Sequence, residues 1–125
     1  MAEPALQRVT NVTRAAVLAS RAQVARGPWE RGVGLLGRAG LGEGEGLVLE
    51  PCNSVHTWFM RFVIDVLVLD AQGRVLDLRA EMRPWGMTWP VAGGRVVVEL
   101  PAGTLARTRT ERGDSVVREE TCTSS

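Results

Sequence analysis

The sequence predicts a mainly β domain: a single small β-barrel or β-sandwich of about seven to nine short strands with one or two short helices. Short apolar runs recur along the chain, and Gly, Pro and Asp separate them at short intervals. The long helices that an α/β sheet needs between its strands are not predicted. A chain of 125 residues forms one domain, with its core at residues 7–118 and a polar tail at 119–125.

The N-terminal part begins as sheet and then turns to a short helix. Apolar-rich runs over 6–11 and 15–25 flank Thr13-Arg14, which predicts a hairpin or a close pair of strands. Pro28 stands at a first helical position and predicts one short helix over 28–36. That helix contains several glycines, so its stability has to come from packing.

A glycine-rich loop over 40–46 leads into a strand over 47–50, which Pro51 ends. The Gly-x-Gly-x-Gly spacing is not a phosphate cradle. Glu43 and Glu45 stand between the glycines and would repel phosphate, and no lysine follows.

The clearest supersecondary signal is a β-hairpin. Residues 62–69 are almost wholly apolar, residues 70–73 form a turn that ends in glycine, and residues 74–79 alternate polar and apolar. The first strand should therefore be buried on both faces and the second on one.

The C-terminal part should add a core strand, a helical turn and a final strand. Residues 96–100 are the core strand, bounded by glycine and proline. Residues 104–110 form one helical turn with Thr104 as its cap, and residues 115–118 form the last strand.

Composition excludes several classes of function. All fifteen Lys and Arg positions are arginine, which removes Schiff-base lysines and P-loop lysines. The net charge of +1 gives no electrostatic case for nucleic acid or an anionic membrane as a partner. Cys52, Cys122 and one histidine are too few ligands for a zinc site, so we expect free thiols, no metal and no cofactor.

No run approaches the length of a membrane span, and the first residues lack the pattern of a signal peptide. These observations favour a cytoplasmic protein without a membrane span.

The segment 52–65 holds the single histidine, His56, among aromatic and polar side chains. On an extended strand Cys52 lies about 13 Å from His56, and Ser54 about 6 to 7 Å, so neither forms a nucleophile and base pair with it. His56 is either a packed core histidine or a group that contacts a ligand or acts as a base.

Two segments supply candidate ligand-binding side chains. The first is the histidine segment and the second is the loop over 84–90, whose two tryptophans either cover a barrel end or offer a stacking platform. The candidates are His56, Trp58, Met60, Arg61, Trp85 and Trp89.

Two carboxylates lie inside apolar runs. Asp65 needs a partner, because an unpaired buried carboxylate costs several kcal/mol. Arg38 and Arg61 are candidates for a structural ion pair with it, and the carboxylate could instead hold a turn. Glu99 poses the same problem. If Asp65 and Glu99 converged beside His56, acid and base chemistry would be credible.

Ordered motifs lie at residues 34–38, 46–47, 52–65, 66–70, 98–103 and 113–114. Together they resemble the family called domain of unknown function 192. The resemblance covers about residues 7–118 and implies a compact mainly β, barrel-like fold found widely in prokaryotes, with no established activity, substrate or catalytic residue. Val63 stands where the family often has proline, and many members carry an export signal or lipoprotein start.

The function that the sequence favours is a non-catalytic β-barrel domain that binds a small molecule or a protein partner. The alternative is a hydrolase or carbohydrate-active enzyme that uses Asp65 and Glu99 as paired carboxylates with His56. The sequence does not indicate the oligomeric state.

Overall fold

The structure is a computed structural model that describes residues 6–26, 40–54, 62–88 and 90–121. Seven strands form one curled half-barrel sheet, with one short helix among the described residues. The predicted helix over 28–36 lies outside them. The elements are β1 Leu6–Asn11, β2 Ala16–Ala25, β3 Glu45–Leu49, β4 Ile64–Leu69, β5 Val75–Met82, β6 Val96–Pro101, α1 Thr104–Thr108 and β7 Val116–Glu120.

The strand order across the sheet is β5-β4-β6-β3-β2-β1-β7. Every neighbouring pair is antiparallel except β2 and β3, which run parallel. The two outer strands meet at one end of the sheet, where Arg74 bridges to Ser115 and the Val116 N–H donates to the Gly73 carbonyl at 2.8 Å. The sheet therefore closes at this end into a partial barrel.

The sheet has two buried faces of unequal size. The first face carries the larger cluster of side chains, which extends from β1 to β7 and includes Leu105 of α1. The second face carries a smaller cluster on β2, β3, β4 and β6. Since successive side chains of a strand point to opposite faces, β4 and β6 contribute alternately to both clusters.

Strand β4 confirms the prediction from its apolar run, because all six of its residues are buried. The hairpin with β5 is also confirmed, although β5 continues to Met82 and carries register shifts. One of these lies between Ile64 and Val66, opposite Glu81, whose φ is 52°. This left-handed residue marks a β-bulge.

One prediction at the C-terminal end was wrong. Gly103, not Thr104, is the cap residue of α1, and it has a φ of 94°. The Thr104 hydroxyl instead donates to the Pro101 carbonyl at 2.7 Å. Strand β7 continues through Glu120, which pairs with Gln7 of β1, so regular structure extends into the predicted polar tail.

A buried polar cluster joins the β1–β2 turn to the loop before β7. The Asn11 side chain is fully buried and donates to both Thr110 and Asp114, at 3.0 Å each. Burial opposes ionisation of Asp114, but hydrogen bonds from Arg14 and Asn11 outweigh it and hold its pKa below 3.8. This cluster fixes the turn against the C-terminal loop.

Candidate functional site

Asp65 is fully buried on β4, and its carboxylate binds two backbone N–H groups. Oδ1 accepts from the Glu81 N–H and Oδ2 from the Leu105 N–H, both at 2.8 Å. The first bond holds the bulge of β5. The second binds an N–H at the start of α1, where no cap side chain forms a hydrogen bond. Asp65 thus connects β5 and α1 to β4 at the centre of the sheet.

The predicted arginine partners of Asp65 lie outside the described residues, so an ion pair stays a prediction. The same holds for most of the ligand-binding candidates. Outside the described residues are Arg38, His56, Trp58, Met60, Arg61 and Trp89.

The side chains of Asp65 and Glu99 lie on opposite faces of the sheet. Asp65 is paired with Leu100, which belongs to the cluster on the first face. Glu99 is paired with Val66 and Leu47, which both belong to the cluster on the second face. Residues directly opposite each other in neighbouring strands share a face. The sheet therefore separates the two carboxylates, which argues against their use as a catalytic pair.

Glu99 is a buried carboxylate in apolar surroundings. The residue is 5% exposed, and no described residue donates a hydrogen bond to its Oε2. Burial raises the pKa of Glu99 from 4.5 to about 7, because the ionised form loses its hydration. A buried polar atom without a partner is rare in folded proteins and requires an explanation.

The side chains around Glu99 form a row across the second face. The pairing places Arg79, Val66, Glu99 and Leu47 side by side on β5, β4, β6 and β3, and Gln23 of β2 ends the row. The buried members lie in the middle, whereas Arg79 and Gln23 are exposed at the two ends. Partly buried side chains that pack against the same cluster are Leu41, Cys52, Phe62, Met82 and Val91.

A groove of about 340 Å³ lies beside this face, where β5 ends and the next loop begins. Its largest exposed apolar side chains are Trp85 and Met87, which are 64% and 58% exposed. Trp85 has a φ of 66°, an uncommon conformation for a bulky residue. We call this feature the Trp85 groove; its lining residues are Arg79, Ala80, Met82, Arg83, Pro84, Trp85, Gly86, Met87 and Thr88.

The charge at the Trp85 groove comes from β5 and the residues that follow it. Arg79 lies 3.8 Å from Asp77, measured from Nε to Oδ2. A hydrogen bond from Arg112 holds the pKa of Asp77 below 3.8, so this carboxylate is anionic at neutral pH.

Sequence reasoning missed Arg79, Met82 and Arg83 as groove residues. From the sequence, Arg79 is a polar residue on the exposed side of a strand, and only the register with Val66 places it in the same row as Glu99, two strands away.

The remaining chemistry of the described residues is limited. Cys52 is a free thiol, and its Sγ lies 3.0 Å from the Ser54 carbonyl. Within the described ranges no group of three His, Cys, Asp or Glu side chains is arranged to hold a metal ion. No helix in those ranges is long and apolar enough to cross a membrane.

Comparison with known proteins places this fold among uncharacterised proteins. A UPF0127 protein of Thermococcus sibiricus is 36% identical over 63 residues, which cover 50% of this chain and 40% of that protein. The crystal structure of a protein of unknown function from Novosphingobium aromaticivorans matches with a TM-score of 0.76 and 26% identity, covering 90% of this chain and 83% of that one.

A second crystal structure, of a proposed transcription regulator from Sinorhizobium meliloti, also has a TM-score of 0.76. Its identity is 18%, with 93% of this chain and 94% of that chain covered, so the likeness concerns the fold alone. A family model described as "Uncharacterized ACR, COG1430" matches residues 9–118. The match spans nearly all of the sheet, and the chain belongs to this family, the domain of unknown function 192 family.

Proposed function

We propose that this chain is a non-catalytic binding domain for a small molecule, and that its site comprises the Trp85 groove and the adjoining second face of the sheet. The observation that carries the proposal is the exposure of Trp85 and Met87 at a concave surface. Large exposed apolar side chains grouped together are typical of interaction sites. A volume of about 340 Å³ suits a small molecule better than a protein segment.

The backbone at the Trp85 groove supports this interpretation. Trp85 and Glu81 both have positive φ values, and left-handed backbone at residues other than glycine is often found at functional sites. Arg79 and Arg83 add polar groups beside the exposed apolar side chains of Trp85 and Met87. A ligand site usually combines apolar side chains with a small number of polar groups.

The histidine segment is included in the proposed site because of its neighbours. Cys52 precedes the segment and Phe62 follows it, and both pack against the cluster on the second face. The participation of His56, Trp58, Met60 and Arg61 follows from this proximity in the chain and stays a prediction.

The competing hydrolase hypothesis loses its support from geometry. Paired carboxylates have to face a common cavity, at about 5 to 9.5 Å for glycosidic chemistry. Asp65 binds backbone N–H groups on the first face, and Glu99 lies on the second. We therefore favour binding without catalysis.

The test is a fragment screen followed by NMR mapping. Isotope-labelled protein is titrated with a library of small molecules, and the amides that shift are located on the sheet. We expect hits whose shifts concentrate in residues 79–88 and whose affinity falls at least about tenfold in Trp85→Ala, a loss of about 1.4 kcal/mol.

The matched control is Val117→Ala, because Val117 is an exposed apolar residue on β7. Its affinities should equal those of the wild type. Shifts that map away from both the Trp85 groove and the second face would disprove the proposal. So would turnover of a bound compound, which would identify an enzyme.

A further inference from the structure

We infer that the proposed site recognises a cationic nitrogen, as in an alkylammonium or alkylguanidinium group, through the carboxylate of Glu99. The inference rests on the proposed function and adds the chemical class of the ligand. It comes from a different observation, namely a buried carboxylate whose Oε2 receives no hydrogen bond from the described residues.

The position of Glu99 makes its burial costly. Leu47 and Val66 lie directly beside it on the neighbouring strands, at the interstrand spacing of about 4.8 Å. Val97, two residues earlier on the same strand, is fully buried on the same face. A leucine at this position would continue the apolar surface at no electrostatic cost, so the carboxylate calls for a functional reason.

A cationic nitrogen is the group that best satisfies this carboxylate. An ionised carboxylate only accepts hydrogen bonds, and a charge-assisted bond is about twice as strong as a neutral one. Burial raises the pKa of Glu99, and a bound cation would favour the ionised form again. Apolar neighbours would hold the carbon chain of the ligand.

Two partly buried side chains at the edge of this cluster suit the same ligand. Phe62 and Met82 pack against the cluster on the second face. An aromatic ring attracts a cation through its negative face, and a thioether is a soft and adaptable neighbour. In the proposed site, these two side chains would line the edge and Glu99 would provide the anionic group.

The other charged side chains on the second face of the described strands are not direct neighbours of Glu99. Arg79 is on β5, two strands from Glu99, with Asp77 near it. Glu45 and Arg21 form the next pair beyond Leu47 and Gln23 on β3 and β2. Arg79 thus has Asp77 as a counterion, whereas no cationic side chain of the described residues forms a salt bridge with Glu99.

The test uses butylammonium and butylguanidinium as probes, with butanol and butyramide as neutral analogues. Binding is followed by NMR titration of the wild type and of Glu99→Gln, which preserves the shape of the protonated acid. The titrations are run at about pH 6 and about pH 8, where the probes stay charged.

We expect the cations to perturb residues of the second face and to bind about tenfold more tightly at the higher pH, because Glu99 is then mostly ionised. Glu99→Gln should lose both the binding and its pH dependence, while its spectrum remains that of a folded protein. Because His56 is retained in the variant, pH dependence that arises from the histidine would persist there.

Several results would overturn the inference. The first is that the cations bind Glu99→Gln as tightly as they bind the wild type. The second is that butyramide binds more tightly at the lower pH. The third is that the cations perturb no residue at concentrations up to about 50 mM, which would mean a dissociation constant too high for specific recognition. If fragments bind the second face without these properties, this inference fails and the proposed function stands. If no fragment perturbs the second face or the Trp85 groove, both fail.

Discussion

The stability of this protein should fall as pH rises from about 5 to about 8, and Glu99→Gln should abolish that loss. Burial raises the pKa of Glu99 from 4.5 to about 7. A carboxyl group with a raised pKa in the folded state favours folding while it is protonated. Its contribution is fully present below pH 4.5 and is lost as pH rises to about 7 and slightly beyond.

The magnitude follows from the same two pKa values. Each unit of pKa corresponds to about 1.4 kcal/mol, so the wild type should lose about 3 kcal/mol of unfolding free energy across the whole range. Most of that loss, about 2 to 3 kcal/mol, falls between about pH 5 and about pH 8. Glutamine is neutral at every pH, so the difference between variant and wild type should grow by this amount.

Denaturation by urea at several pH values measures this difference directly, provided that the slope with denaturant is unchanged. Comparison of the two proteins at each pH cancels the titration of every other group. Glu119→Gln, which removes a carboxylate at an exposed position of β7, is the matched control. A constant difference for Glu99→Gln would refute the reasoning, because it would mean that the folded protein solvates or pairs the carboxylate.

Further substitutions test the structural interpretation by the same denaturation assay. Asp65→Ala should cost about 3 kcal/mol, because two backbone N–H groups lose their acceptor; Asp70→Ala, in an exposed turn, should cost clearly less, and equal losses would contradict the role of Asp65. Gly73→Ala should cost more than about 2 kcal/mol, because its Cβ would lie 2.2 Å from a carbonyl oxygen across the seam of the barrel. Gly113→Ala has a similar positive φ and open space around it, so it should cost only about 1 kcal/mol; equal costs would mean that the seam is not closed in solution. Asn11→Ala should cost about 2 kcal/mol by opening the buried polar cluster, and a loss below about 0.5 kcal/mol would show that the cluster is not formed.

Local patterns predicted the parts of the fold that depend on neighbouring residues. The run over 62–69 predicted a strand buried on both faces, because a strand with one face in water would alternate apolar and polar residues. The turn over 70–73 predicted the hairpin, since Gly73 supplies the positive φ of 85°. The closing of β5 against β7 had no such signal, because it joins segments about 40 residues apart in the chain.

The role of Asp65 could be predicted only in outline. The sequence required a partner for a carboxylate in an apolar run and suggested arginine. The observed partners are backbone N–H groups of Glu81 and Leu105. Every residue except proline carries such a group, so the identity of the residues gave no signal. The bulge that presents the Glu81 N–H depends on the pairing of β4 with β5.

The different environments of Asp65 and Glu99 follow from their positions in adjacent strands. Asp65 pairs with Leu100, and Val66 pairs with Glu99. Because each strand alternates its faces, a change of one residue in this register would place both carboxylates on the same face. With the observed register, Asp65 receives two N–H donors on the first face, while Glu99 remains without a described donor to Oε2 on the second. The described residues thus satisfy the carboxylate of Asp65 and leave Oε2 of Glu99 without a donor on the face beside the Trp85 groove, where a ligand could supply its partner.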